Sequence, residues 1–183
     1  MTGISLRYRV ATPEDIGLLL PLINSAYRGE ESRAGWTTEA DLLISERIDA
    51  SGLLDKIQSP DTVILLAADG NDVLASCCEL VWRPEKGIAY FGLFAVNPKR
   101  QGGGIGRQVL LYAEDYASRQ WGAYKMEMTV IWLREEIIAW YARRGYRKTG
   151  ETRPFPYADI GNGKALRGDL YFEVLVKDIQ ERN

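Results

Sequence analysis

Histidine is absent from all 183 residues. Any proton transfer must therefore run on carboxylates, tyrosine, lysine, cysteine or water, and neither a histidine-containing triad nor a histidine-ligated metal site can be built. Cysteine is scarce as well, with only Cys77 and Cys78 present. Adjacent in the chain, they fit neither the spacings of zinc sites nor an ordinary disulfide, and they read as reduced strand residues of a cytoplasmic protein. No apolar run approaches about 18 residues and no basic leader follows Met1, so the expectation is a chain that is neither secreted nor membrane-spanning. Charge of one sign is missing too: 23 basic residues stand against 25 acidic ones, a net charge of −2, with no long block of either. A nucleic-acid footprint is excluded on that ground.

What is present is an apolar fraction of 46%, enough for one domain over residues 1–183 that buries about 70% of its unfolded surface. Ser5 to Val10 reads as a strand. Thr12-Pro13-Glu14-Asp15 then combines a cap, a first-turn proline and a capping-box acid, before Ile16, Leu19, Leu20, Ile23 and Tyr27 recur at helical spacing. Arg28 to Thr37 has no periodicity and reads as a loop; Thr38 and Asp41 predict a second helix through about Asp49. The turn "DGND" between Thr62–Ala68 and Val73–Trp82 predicts a hairpin. Gly87 to Val96 follows as an apolar strand with an interior glycine, Gly92, the mark of a bulge or a close approach.

Four of the six positions from Gln101 to Gly106 are glycine, and a helix face of Ile105, Val109, Ala113, Tyr116 and Ala117 begins at once. Unobstructed amides at a helix amino terminus form an anion site, and phosphate is the natural guest. The P-loop does not fit, because Gly106 is followed by Arg107 and Gln108 where that design needs Lys and then Ser or Thr. Nor does the dinucleotide fingerprint, which would need a glycine where Arg107 stands. Beyond this helix come a strand at Lys125–Ile131, a helix at Glu135–Arg144 ended by Gly145, and strands at Tyr146–Arg153 and Leu170–Lys177 joined by a long loop.

A third phosphate design, Q/R-x-x-G-x-G/A, is filled by Gln101, Gly104 and Gly106 after the strand "GLFAVNPKR". With these residues the chain resembles the GNAT superfamily of N-acetyltransferases, over nearly its whole length in element order. The resemblance implies an α/β (α+β) fold with a mixed, mostly antiparallel sheet of six to seven strands and about four helices. It implies acetyl-CoA as co-substrate, its pyrophosphate on Gln101, Gly102, Gly103, Gly104, Ile105, Gly106 and Arg107 and its pantetheine arm along Phe94, Ala95 and Val96. "IIAWYARRGY" is similar to the family's Tyr-x-x-x-Gly-aromatic pattern, with Tyr141, Gly145 and Tyr146 in place, and this makes Tyr141 the acid that protonates the departing thiolate. The same tyrosine on an apolar helix face also fits a core residue with a satisfied hydroxyl.

Arg134 stands where relatives often carry an asparagine that contacts the cofactor arm. Tyr90 falls nearest the position of the carboxylate base that some relatives use, which argues against that version of the mechanism. Arg28 and Trp36, with Glu30 or Glu31, either cover the acceptor or form a solvated loop. Glu79, an acid in an apolar strand, reads as a base or as part of an exposed strand face. The pair Arg143 and Arg144 reads as a helix-end charge complement, and Lys99 and Arg100 as aids to phosphate binding or solvated loop residues. The expected reaction is direct acetyl transfer to a primary amine of a small molecule or peptide, without metal, nucleic acid or membrane; relatives are frequently homodimers. A module that binds acyl-CoA without turnover, or a transferase for longer acyl chains, would share the glycine loop.

Overall fold

The computed structural model describes residues 5–35, 38–100, 103–160 and 163–180. Strand β1 (Arg7–Val10) leads through Thr12 into helix α1 (Ile16–Tyr27). The capping acid forms as expected: the Thr12 amide donates to Asp15 at 2.8 Å, and Arg9 holds the same carboxylate at 2.6 Å. A single turn, α2 (Gly29–Ser32), sits in the segment read as loop.

The helix expected over 38–49 is not there. That segment turns, forms the two-residue strand β2 (Leu43–Ile44), and only then enters helix α3 (Ala50–Gln58). The Asp49 side chain accepts from the Gly52 amide at 2.7 Å, so the residue taken as a helix end is the cap of the next helix. Tertiary demands override the local signal: Glu39 is drawn to two arginines and Leu43 is buried against a distant segment.

The hairpin β3 (Thr62–Ala68) and β4 (Leu74–Arg83) forms around "DGND", with Asp69 accepting from the amides of Asn71 and Val73. Strand β5 (Ile88–Val96), helix α4 (Ile105–Trp121), strand β6 (Lys125–Ile131), helix α5 (Glu135–Ala142) and strands β7 (Arg147–Pro154), β8 (Lys164–Ala165) and β9 (Tyr171–Asp178) complete the order. One sheet of seven strands runs β1-β3-β4-β5-β6-β9-β7, antiparallel except at β5–β6. β2 and β8 form a separate two-stranded sheet that, like α3, has no counterpart in the sequence-based expectation.

Helices α4 and α5 pack on one face of the large sheet with Phe91, Phe94, Met126 and Met128. Helices α1 and α3 cover the opposite face with Ile64, Leu66, Cys77 and Leu93. Two irregularities break the sheet at its middle. The parallel pairing of β5 with β6 stops at Tyr90 and Glu127, so the two strands part like the arms of a fork. On the other side of β5, Gly92 pairs with Glu79 and Ala95 with Cys77, leaving Leu93 and Phe94 opposite Cys78 alone. Leu93 takes a φ of +42°, a left-handed value that a side-chain-bearing residue adopts at a cost. Gly92 thus marks both a bulge and a close approach: a Cβ there would lie 3.0 Å from the Tyr90 ring and 3.1 Å from Glu79 Oε2.

Candidate active site

The fork between β5 and β6 holds a cavity of about 230 Å³. Its wall includes Tyr27 of α1 from one face of the sheet and Ile137 and Tyr141 of α5 from the other, so it draws on both faces where β5 and β6 part. On the α4–α5 side lies a cleft of about 590 Å³; on the α1–α3 side lies a cavity of about 890 Å³ that shares Glu39, Arg47, Ile131 and Phe172 with the fork.

The cleft is built from backbone. Gly104, with φ +76°, is the residue before α4, and it lines the cleft together with Ile105, Gly106, Arg107 and Val96. Gly106 sits between two rings: a Cβ on it would lie 3.4 Å from Phe94 and 3.5 Å from Trp140. Three arginines converge here. Arg143 and Arg144, read from the sequence as a helix-end complement, line the cleft with Arg107. Arg144 lies 3.5 Å over the Trp140 ring and donates to the Trp140 carbonyl at 2.7 Å, while its buried Nε has no hydrogen-bond partner. Burial, then the charges of Arg143 and Arg107, lower its pKa. An orphaned guanidinium nitrogen among crowded cations, beside a helix amino terminus, is what a multiply charged anion would complete. Arg100, by contrast, is ion-paired to Asp69. Gln101 and Gly102 lie outside the described residues, and Gly103 is exposed at the mouth of the loop.

The bulge is anchored from two sides. The Tyr27 hydroxyl donates to the Phe94 carbonyl, and the Ser76 hydroxyl donates to the Ala95 carbonyl at 2.7 Å. Burial pushes the Tyr27 hydroxyl up to about 12, so it stays a donor. Because the Asn97 amide bonds to β4 through Ala75, alternation along the strand turns the Val96 amide away from β4.

Tyr141 is buried, packed edge-on against Trp140 at 5.0 Å and Tyr146 at 5.6 Å, and lines the fork. Its hydroxyl makes no hydrogen bond among the described residues, in contrast to Tyr146, which donates to Glu114 at 2.9 Å. Burial, with Tyr27 next, raises the Tyr141 pKa well above the ordinary tyrosine value. It is held as a neutral proton donor.

On the acceptor side the candidates gather around a residue the sequence reading missed. Glu39 is buried, ion-paired to Arg28 and, at 3.0 Å, to Arg134. Burial pushes its carboxyl up, but Arg134, Arg28 and Arg47 together pull it below the usual carboxylate value. Arg134 therefore turns its side chain to Glu39 across the fork. No periodicity or motif marks Glu39; a demand for a counter-charge at Arg28 and Arg134 was the available signal. Tyr90 lines the fork and shares a 2.8 Å hydrogen bond with Thr129. Glu79 is not on an exposed face: its side chain is buried behind Gly92 and bound to Lys56 at 2.7 Å. Trp36 lies outside the described residues. Cys77 and Cys78, on the strand beside β5, are fully buried, and burial raises Cys77 to about 12 and lifts Cys78 well above the ordinary thiol value, which silences both as nucleophiles.

The family model described as "Acetyltransferase (GNAT) family" matches residues 23–146, a span that runs from the last part of α1 through α5 and holds the glycine loop and Tyr141. The chain belongs to the GNAT acetyltransferase family, which uses acetyl-CoA as co-substrate. Among solved structures it is similar to the spermidine N-acetyltransferase of Vibrio cholerae in complex with CoA and spermine, at 16% identity and a TM-score of 0.69 over 93% of this chain and 94% of that one. It is equally similar to a protein assigned provisionally as a phosphinothricin N-acetyltransferase, at 17% identity and a TM-score of 0.69 over 97% and 100% of the two chains. No curated protein sequence matches it. Among the described residues no helix is long and apolar enough to cross a membrane.

Proposed function

We propose that the chain transfers an acetyl group directly from acetyl-CoA to the amine of a small molecule or peptide, both substrates being bound together. The observation that carries this reading is the fork: a cavity walled from both faces of the sheet, with an anion-seeking cleft on one face and a separate, larger cavity on the other. Gly104, Gly106, Arg107, Arg143 and Arg144 would hold the diphosphate, and the parted edge of β5 the pantetheine arm. Acetyl-CoA, when bound, supplies the thioester.

The amides of the bulge polarise the thioester carbonyl, pre-aimed by the bonds of Tyr27 and Ser76 to the neighbouring carbonyls. Glu39 is a poor base, because three arginines hold its proton affinity down. The ammonium proton of the acceptor leaves to water before attack. The freed nitrogen lone pair then forms the C–N bond. As the C–S bond breaks, Tyr141 gives its hydroxyl proton to sulfur and regains one from the new amide nitrogen through solvent, so one proton is released per turnover. The same reading takes residues 1–183 as one unit working in the cytoplasm.

Thermal unfolding with acetyl-CoA, free CoA and NAD tests the cleft. At one hundred times the dissociation constant, binding should add about 2.7 kcal/mol and raise the midpoint by roughly 5 to 10 °C. A rise with both CoA compounds but not NAD supports the reading; no rise with saturating acetyl-CoA sinks it.

A further inference from the structure

Resting on the transferase reading above, we infer that the acceptor is an amine bearing an anionic group a few bonds from its nitrogen, of the amino-carboxylate class, and is not a polyamine.

Where the fork opens into the large cavity, three guanidiniums surround one carboxylate: Arg28 and Arg134 are ion-paired to Glu39, and Arg47 lowers the same carboxyl from nearby. Three positive charges less one negative leave a surplus of two at this point. The surplus is poorly used by the protein itself. The Arg47 guanidinium has no ion-pair or hydrogen-bond partner among the described residues and rests only on the face of Tyr27, 5.5 Å from the ring centroid. Arg28, with a side chain only 11% exposed, leaves its Nε buried and without a partner.

Arg47 lines both the fork and the large cavity, so a group bound to it stands beside the place where the attacking nitrogen must sit. A planar guanidinium with free donors matches a carboxylate in geometry as well as charge. Acids do occur around the large cavity, but they do not cancel this field. Glu46 and Asp159 are exposed at its rim, and Asp49 is committed to capping α3. Water screens charges at the rim far more than charges at the buried end. A polyamine, cationic along its length, would have to place positive charge against Arg47 and Arg28 as its reacting nitrogen entered the fork. An amino carboxylate would instead place its own anion there and leave its side chain to Ile131, Phe155 and Phe172.

Thiol release with acetyl-CoA should be measured for matched sets: L-amino acids, their methyl esters, the decarboxylated amines, aminophosphinates and spermidine. Amino carboxylates should exceed the esters, the decarboxylated amines and spermidine by about 100-fold or more in kcat/KM, since a site left with unpaired donors rejects the analogue that lacks their partner. Aminophosphinates above amino carboxylates would assign the same anion site to a phosphorus acid. Arg47→Met should lower kcat/KM for the amino carboxylates far more than for the decarboxylated amines, erasing the preference, and Arg47→Lys should restore part of it. Equal or better turnover of spermidine or of the decarboxylated amines overturns the inference, as does a preference that survives Arg47→Met. No turnover of any set member, in protein whose midpoint acetyl-CoA still raises, also counts against it. Absence of that midpoint rise condemns the transferase reading itself.

Discussion

The two sides of the fork are made in different ways. The cleft beside α4 draws on Val96 and on Gly104 to Arg107, close together in the chain, with Glu136, Ala139, Trp140, Arg143 and Arg144 added from α5 and its end. The cavity beside α1 and α3 is side chain, drawn from Arg28, Glu39, Arg47, Ile131, Phe155 and Phe172, residues more than 140 positions apart at the extremes. Backbone recognition needs glycines and a helix start close together in sequence, so it leaves a motif. Side-chain recognition needs only that distant segments meet, and it leaves none. One side is fitted to a fixed handle, the other can be refitted by single substitutions.

If Tyr141 belongs to the shared chemistry between the two sides, Tyr141→Phe should lower kcat by about 10²- to 10⁴-fold. Acetyl-CoA affinity and the unfolding midpoint should barely move, because the hydroxyl makes no hydrogen bond among the described residues that the change would break. Steady-state kinetics alongside a thermal titration separates the outcomes. An unchanged kcat would return Tyr141 to the role of packing for Trp140 and Tyr146.

The acceptor side should be the fragile one. Glu39→Gln removes the carboxylate on which Arg28 and Arg134 rest and should cost about 3 to 5 kcal/mol, the penalty of leaving buried charge unpaired. Urea unfolding at neutral pH measures it. The folded-state pKa of Glu39 lies below its ordinary value of 4.5, so its contribution is full above that value and is lost as pH falls through the lowered one. The gap between wild type and Glu39→Gln should therefore be widest near neutrality and narrow as the pH falls below 4.5. A gap that is constant, or that grows on acidification, would mean that Glu39 is not held as a buried anion.

The large sheet, the hairpin, the glycine loop and both long helices beside it were legible because each rests on local signals: alternation, turn chemistry, caps. The segment from 38 to 49 was not. Its cap at Asp49 belongs to the following helix, and Leu43 and Ile44 pair with Lys164 and Ala165, about 120 residues on. No local pattern announces a two-residue strand whose partner lies so far away, and β2, β8 and Glu39 were missed together for that reason. Glu79 was misplaced for a related one: alternation showed an acid in a strand but not that Lys56, on a helix not foreseen at that position, would bury it.

The finest distinction is between the two glycines of the cleft that look alike in sequence. Gly104 has φ +76°, so Gly104→Ala strains the backbone and should cost about 1 kcal/mol even without ligand. Gly106 lies in the first turn of α4 with no left-handed φ, and an added Cβ would meet Phe94 and Trp140 at ordinary contact distances of 3.4 and 3.5 Å. Gly106→Ala should accordingly leave the free protein unchanged or slightly more stable, alanine being the better helix former by up to about 1 kcal/mol. If that position is bare so that a diphosphate can approach the amides, the same substitution should weaken acetyl-CoA binding by about tenfold. Unfolding midpoints of both variants with and without acetyl-CoA would then part along two axes, strain for Gly104 and access for Gly106. A Gly106→Ala protein with its full acetyl-CoA shift would leave Gly106 with no ligand-related reason to be glycine and would put the seat of the diphosphate nearer Gly104 and Arg107.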